Sequence, residues 1–172
     1  GRDRYVTDAE YEAVLELAGE WAEVGKYPYL ADAMELAYLC RARLAEVLAM
    51  RRVDYQEDRL RVRRSKGSRD EYTVMSARGR AVIARTKGRE TDIITPWLIH
   101  NHGQRVPRNS FQTAWNRLQR TALYEGRIAE RYTFHDLKAK GVSDHADHHS
   151  GHKSERMRNH YNRKPDEVEA TR

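Results

Sequence analysis

Between Val53 and Val74 the apolar residues change period, and that change limits the folds open to this chain. Leu60 and Val62 alternate with Arg59, Arg61 and Arg63, the period-two pattern of a half-buried strand. Ser65-Lys66-Gly67-Ser68 is turn chemistry and Tyr72-Thr73-Val74 reads as a returning strand, which puts Lys66 at or near the tip of a β-hairpin. The flanking spacing is helical. Thr7 followed by Glu10 forms a capping-box pattern, after which Tyr11, Val14, Leu15, Ala18, Trp21 and Ala22 share one helical face up to a stop at Gly25. Pro28 opens a second helical segment through Leu30, Ala33, Met34, Ala37 and Tyr38, and a shorter third carries Leu44, Val47 and Leu48. Ser76 is placed to cap a helix through Val82 and Ile83. After Ile93–Leu98, a short apolar connection interrupted by Pro96, comes a turn at Asn101-His102-Gly103-Gln104. Pro107 and Asn109 introduce a helix whose stripe is Phe111, Ala114, Trp115, Leu118 and Ala122, with Arg117 and Arg120 off it and Gly126 after it. The class that follows is mainly α with a small antiparallel β-sheet or hairpin.

A length of 172 residues suits one domain or two small ones. Lys and Arg number 32 against 26 Asp and Glu, and the resulting charge of +6 favours an anionic partner such as nucleic acid, with simple solubility as the competing reading. The arginine run 59–64 has the same two readings, a binding surface or a solvated strand face. Cys40 is the only cysteine, which excludes an intrachain disulfide and points to a reducing, cytoplasmic setting. Its apolar neighbours Leu36 to Leu39 mark it as a small buried side chain rather than a nucleophile. No apolar run approaches the ~18 residues of a membrane span, and no signal-peptide pattern opens the chain. It begins Gly1-Arg2-Asp3 without methionine, as a fragment of a longer protein would.

Four separate pieces carry chemistry. The helical segment Leu39–Met50 sets Arg43 three residues before Glu46, and Arg64-Ser65-Lys66-Gly67 forms the hairpin turn. Thr133-Phe134-His135-Asp136-Leu137-Lys138 opens another helix with Thr133 as its N-cap, and Gly151-His152 is followed nine residues later by Tyr161. Taken in order over about Tyr5–Pro165, these pieces resemble the boxes of the tyrosine recombinases, the phage integrase family. The resemblance implies that family's catalytic-domain fold, with residues 1–172 as a single catalytic domain and an N-terminal core-binding domain lying outside them. It implies a site-specific DNA recombinase, a prophage integrase, that cleaves and rejoins strands through a 3′-phosphotyrosyl intermediate. Tyr161 would be the nucleophile, Arg43 the catalytic arginine, Glu46 its supporting acid and Lys66 the catalytic lysine. His135, Lys138 and His152 would complete the site, and Arg64, Arg108, Lys140 and Lys153 stand as DNA-contacting cations. Its partners would be double-stranded DNA and further copies of the chain in a tetrameric synapse, near the nucleoid, with no membrane, cofactor or metal. The tail after Tyr161 would dock on a neighbouring copy.

The physical logic stands beside the resemblance. A tyrosine hydroxyl, with an ordinary pKa of about 10, is a poor nucleophile at neutral pH. Displacement at a phosphodiester gathers charge on the nonbridging oxygens, which Arg43, Lys138 and His152 can meet with preorganised donors while Tyr161 attacks in line. His135 suits proton transfer, and Lys66 on its hairpin can protonate the departing 5′ oxygen. Two features depart from the family pattern. Lys138 stands where the family has a second arginine, keeping the charge and losing the planar fork. Only sixteen residues separate His135 from His152, a short interval. Two other readings remain: a DNA-binding module of the same fold with impaired catalysis, and a zinc protein using His145, His148, His149 and His152 with Asp144 and Asp147.

Overall fold

Thr7 starts the first helix as its spacing predicts. Its Oγ1 accepts the Glu10 N–H at 3.1 Å while Glu10 Oε1 accepts the Thr7 N–H at 3.0 Å, so two of the unpaired N–H groups at the helix start are satisfied. The computed structural model describes residues 4–65, 67, 69–88, 93–145 and 166–172. α1 (Asp8–Glu23) buries Tyr11, Val14, Leu17, Ala18 and Trp21. They pack on α2 (Leu30–Cys40), which is the axis of the molecule. Nearly every side chain of α2 is buried, and its two inward acids are matched. Glu35 receives the Arg78 guanidinium at 2.6 and 2.7 Å, and Asp32 receives Arg85 at 3.1 Å. α2 ends where Arg41 turns left-handed (φ 50°) and its N–H closes onto the Ala37 carbonyl.

α3 (Leu44–Leu48) leads through a 3-10 turn (Arg52–Asp54) to β1 (Tyr55–Gln56), β2 (Arg59–Val62) and β3 (Glu71–Val74). β1, β2 and β3 pair antiparallel, and Leu60 and Val62 point inward as their alternation requires. α4 (Ala77–Gly88) begins after Ser76, whose Oγ accepts the Gly79 N–H at 3.2 Å. The short hairpin of β4 (His100–Asn101) and β5 (Gln104–Arg105) precedes α5 (Arg108–Tyr124), which lays Phe111, Ala114, Trp115, Leu118 and Ala122 into the core. Thr133 and Asp136 cap α6 (His135–Asp144): Thr133 Oγ1 accepts the Asp136 N–H at 3.2 Å, and Asp136 Oδ2 accepts the Thr133 N–H at 2.8 Å.

The last described residues add what sequence spacing does not show. β6 (Asp166–Glu169) pairs with β3 in parallel, so the main sheet is mixed, in the order β1-β2-β3-β6. Within this chain the described part of the tail, 166–172, docks on the chain's own sheet. The Ala170 N–H donates to the Val74 carbonyl at 2.9 Å and the Thr171 N–H to the Leu39 carbonyl at 3.0 Å. Three acids in four residues make β6 an unpromising strand by propensity, yet Glu167 meets Arg59 of β2 at 2.9 Å. Among the described residues no helix is long and apolar enough to cross a membrane.

Candidate active site

Arg43 is the residue before α3, and the first turn of that helix holds it. Glu46 Oε1 accepts the Arg43 N–H at 2.9 Å, and Glu46 Oε2 lies 3.2 Å from the Arg43 guanidinium. The same buried carboxylate accepts the Ser65 N–H at 2.8 Å and the Ser65 hydroxyl at 3.0 Å. Glu46 thus ties the arginine to Ser65, the residue that precedes Lys66 in sequence. Lys66, His152, Lys153 and Tyr161 lie outside the described residues, as do His148 and His149 of the histidine group.

Arg64 completes this junction from inside. Its guanidinium donates to the Arg41 carbonyl at 2.7 Å, the Cys40 carbonyl at 2.9 Å and Glu46 Oε1 at 3.1 Å, and also to Glu71. The expectation that Arg64 contacts DNA is therefore corrected: its side chain is wholly buried, because two acids and the buried carbonyls at the end of α2 need it. Burial pushes the Glu46 carboxyl up, but the N–H groups of Ser65 and Arg43 and the charge of Arg64 outweigh it, so Glu46 sits below the ordinary carboxylate range.

Lys138 reaches this cluster from α6. Gly141, one turn further on, lets the two helices close: a Cβ there would overlap the Tyr38 carbonyl oxygen and come within 3.0 Å of Arg41 Cγ. The Lys138 ammonium is pushed down to about 8, first by burial and then by the neighbouring cations Arg64 and Arg43, with Glu46 and Glu71 opposing. In this junction Arg41, Arg43, Arg64 and Lys138 outnumber Glu46 and Glu71, a positive excess suited to an anion. His135, at the start of the same helix, is exposed. It lines a cavity of about 370 Å³ with Trp115, Asn116, Arg120, Arg131 and Tyr132.

Of the remaining expected DNA contacts, Arg108 is exposed at the start of α5. Lys140 is corrected. Its ammonium is buried against Asp8 at 2.8 Å, the Tyr5 hydroxyl at 3.0 Å and Asp144 at 3.1 Å, and it holds α6 to the start of α1. His145, at the end of α6, contacts the Glu169 carbonyl at 3.0 Å. Sequence reasoning missed the buried roles of Arg64 and Glu71. Glu71 is in phase with Thr73 on the inward side of β3, and that phase was the available signal.

The profile of the phage integrase family matches residues 4–167. The chain belongs to the phage integrase family. Its fold is that of the tyrosine recombinase catalytic domain. The lambda integrase catalytic core superposes with a TM-score of 0.68 at 19% identity, covering 97% of this chain and 99% of that one. XerA recombinase gives 0.63 at 16% identity over 83% of this integrase-family chain and 50% of the other. A lambda integrase tetramer bound to a Holliday junction gives 0.62 at 17% identity, over 81% and 41%. The chain thus spans half or less of the length of the last two. No curated protein sequence matches it.

Proposed function

We propose that this chain is the catalytic domain of a site-specific DNA recombinase, a prophage integrase, that cleaves and rejoins duplex DNA through a 3′-phosphotyrosyl link. The observation that carries this reading is the junction at Glu46. One buried carboxylate holds Arg43 and the residue before Lys66, and α6 delivers Lys138 to the same cluster. In this reading Arg43 and Lys138 grip the nonbridging oxygens of the scissile phosphate, so the charge built up in displacement meets donors already in place. Tyr161 attacks in line, its proton leaving through His135, and His152 adds a third donor. Lys66 passes a proton to the departing 5′ oxygen. A 5′-hydroxyl from another strand reverses the step, so the bond energy is kept. The cations are side chains, and no metal or cofactor takes part. Residues 1–172 are read as this one domain of a longer protein. In the same reading several copies assemble on paired DNA sites at the nucleoid, which a lambda integrase tetramer bound to a Holliday junction supports.

The test is incubation with nicked suicide duplexes carrying candidate attachment sites. A covalent adduct mapping to Tyr161 and vanishing in Tyr161→Phe supports the reading. An adduct that survives in Tyr161→Phe overturns the nucleophile. Lys138 favours one second reading, a DNA-binding module with impaired catalysis, because a lysine titrating at about 8 is a weaker phosphate grip than an arginine. Retained DNA binding with no adduct at any pH would select it.

A further inference from the structure

Away from the Glu46 junction, cations gather at Trp97 with no acid paired to them among the described residues. Residues 50–52 lie along 96–98. The Leu98 N–H donates to the Met50 carbonyl at 3.1 Å, the Arg52 N–H donates to the Pro96 carbonyl at 2.8 Å, and Arg51 and Trp97 form an antiparallel bridge. Arg105 of β5 arrives at the same place, its Nε donating to the Leu48 carbonyl at 3.2 Å. The guanidinium of Arg51 lies 5.2 Å, and that of Arg105 4.9 Å, from the centroid of the Trp97 ring. Both arginines are exposed and the ring is half-buried.

Neither guanidinium has a carboxylate partner among the described residues, and Arg52 Nε and Nη2 also lack a hydrogen-bond partner there. Asp54, close by in sequence, is turned to the Arg63 guanidinium and the Arg51 N–H. By contrast Arg59, Arg61, Arg63, Arg78, Arg85 and Arg127 each meet an acid. Two like charges held over one ring repel each other, a cost that an anion bridging them reverses. The indole face attracts guanidinium and narrows its rotamers, so both charges are set before any ligand arrives.

We propose that Arg51, Trp97 and Arg105 form a second contact for the phosphate backbone of duplex DNA, at the opposite end of α3 from Arg43. This rests on the reading of DNA as the partner. α3 is five residues long, about 7 Å at 1.5 Å per residue. For a strand running along α3, at roughly 3.4 Å of rise per nucleotide, the contact falls about two nucleotides from the phosphate held at Arg43. It fixes the register of the strand on the site and carries no base information.

The experiment measures affinity for a short duplex of arbitrary sequence from about 50 to 200 mM salt, with thermal melts to confirm folding. The slope of log K against log salt should shrink by about 2 in the double variant Arg51→Gln/Arg105→Gln and by about 1 in Arg51→Gln alone. The Arg127→Ala control loses one charge elsewhere and should keep the full slope. Trp97→Ala should keep the slope but weaken binding several-fold, and Trp97→Phe should restore it. If the chain binds with a steep slope that both arginine variants retain, the contact at Trp97 is wrong and the DNA reading stands. A flat slope in the unaltered chain overturns both.

Discussion

Lys138 and Lys140 lie two residues apart on α6, both buried, and their ammonium groups are pushed in opposite directions. At 3.6 residues per turn they point about 200° apart, so each meets a different cluster. Lys138 meets a junction where cations already outnumber acids, and burial with Arg64 and Arg43 drives it down to about 8. Burial also presses Lys140 down, but hydrogen bonds to Asp8, Tyr5 and Asp144 overcome it, and its ammonium is held above the ordinary lysine range. Depth alone does not set the charge of a buried lysine; its partners do. Lys140 is a satisfied brace between two helices, whereas Lys138 adds to a local excess of charge.

The largest expected difference between them is in the proposed cleavage. Lys138→Ala should slow single-turnover adduct formation by about a hundredfold or more, the loss of one charged donor to a transition state. Lys140→Ala should leave the rate of the folded protein within about twofold. Equal rates for Lys138→Ala and the unaltered chain would remove Lys138 from the site.

Stability should reverse the order. Lys140→Ala leaves the buried Asp144 with only the half-exposed Arg172 guanidinium, at 3.6 Å, as a cation and should cost about 2 kcal/mol, less than a fully enclosed pair because Asp8 is open to solvent. In a domain of this size that lowers the melting temperature by about 4–8 °C, which a thermal melt reads directly. Lys138→Arg should come next. The broader head enters a buried site already shared with the guanidinium groups of Arg64 and Arg43, and cleavage should slow by about tenfold. A faster Lys138→Arg would show that the junction is still shaped for arginine.

The smallest effect is in the pH response. Between about 8 and the ordinary 10.5 the unfolded chain holds a proton on residue 138 that the folded chain has released. The unfolded state then binds more protons, so Lys138 makes stability rise with pH through that window. Cleavage, which needs the cation, should fall through the same window. Lys140 acts oppositely, its contribution complete below the ordinary lysine value and lost only as pH climbs past its raised one. In Lys138→Arg the alkaline fall in cleavage should flatten. An unchanged fall would assign the titration to another group.

How much of this was legible follows from the distance between partners. The Thr7–Glu10 cap, the stripe from Phe111 to Ala122 and the Arg43–Glu46 pairing are local, set by residues three or four apart. Arg64 and Lys140 were misread as surface cations because a basic residue carries no sign of an acid folded against it. The Lys140 partner Asp8 is 132 residues away. β3 was deceptive in a different way. Tyr72 and Val74 look like its core side, yet Glu71 and Thr73 face inward, since the Arg64 guanidinium makes a buried acid favourable there. β6 was invisible because its composition argues against a strand, and the partners that recruit it, Arg59, the edge of β3 and His145 among them, are remote in sequence.

Gly141 has a consequence beyond its own contact. A glycine within a helix weakens that helix by about 1 kcal/mol relative to alanine, so its place in α6 has to be recovered through packing. What it secures is a close approach of α6 to Tyr38 and Arg41 at the end of α2, one turn from Lys138. The nearer that approach, the better a slim ammonium suits residue 138 than a broad guanidinium. Helix spacing and the choice of cation at residue 138 then form a single coupled variable, and a drift at either position changes which residue the other can tolerate.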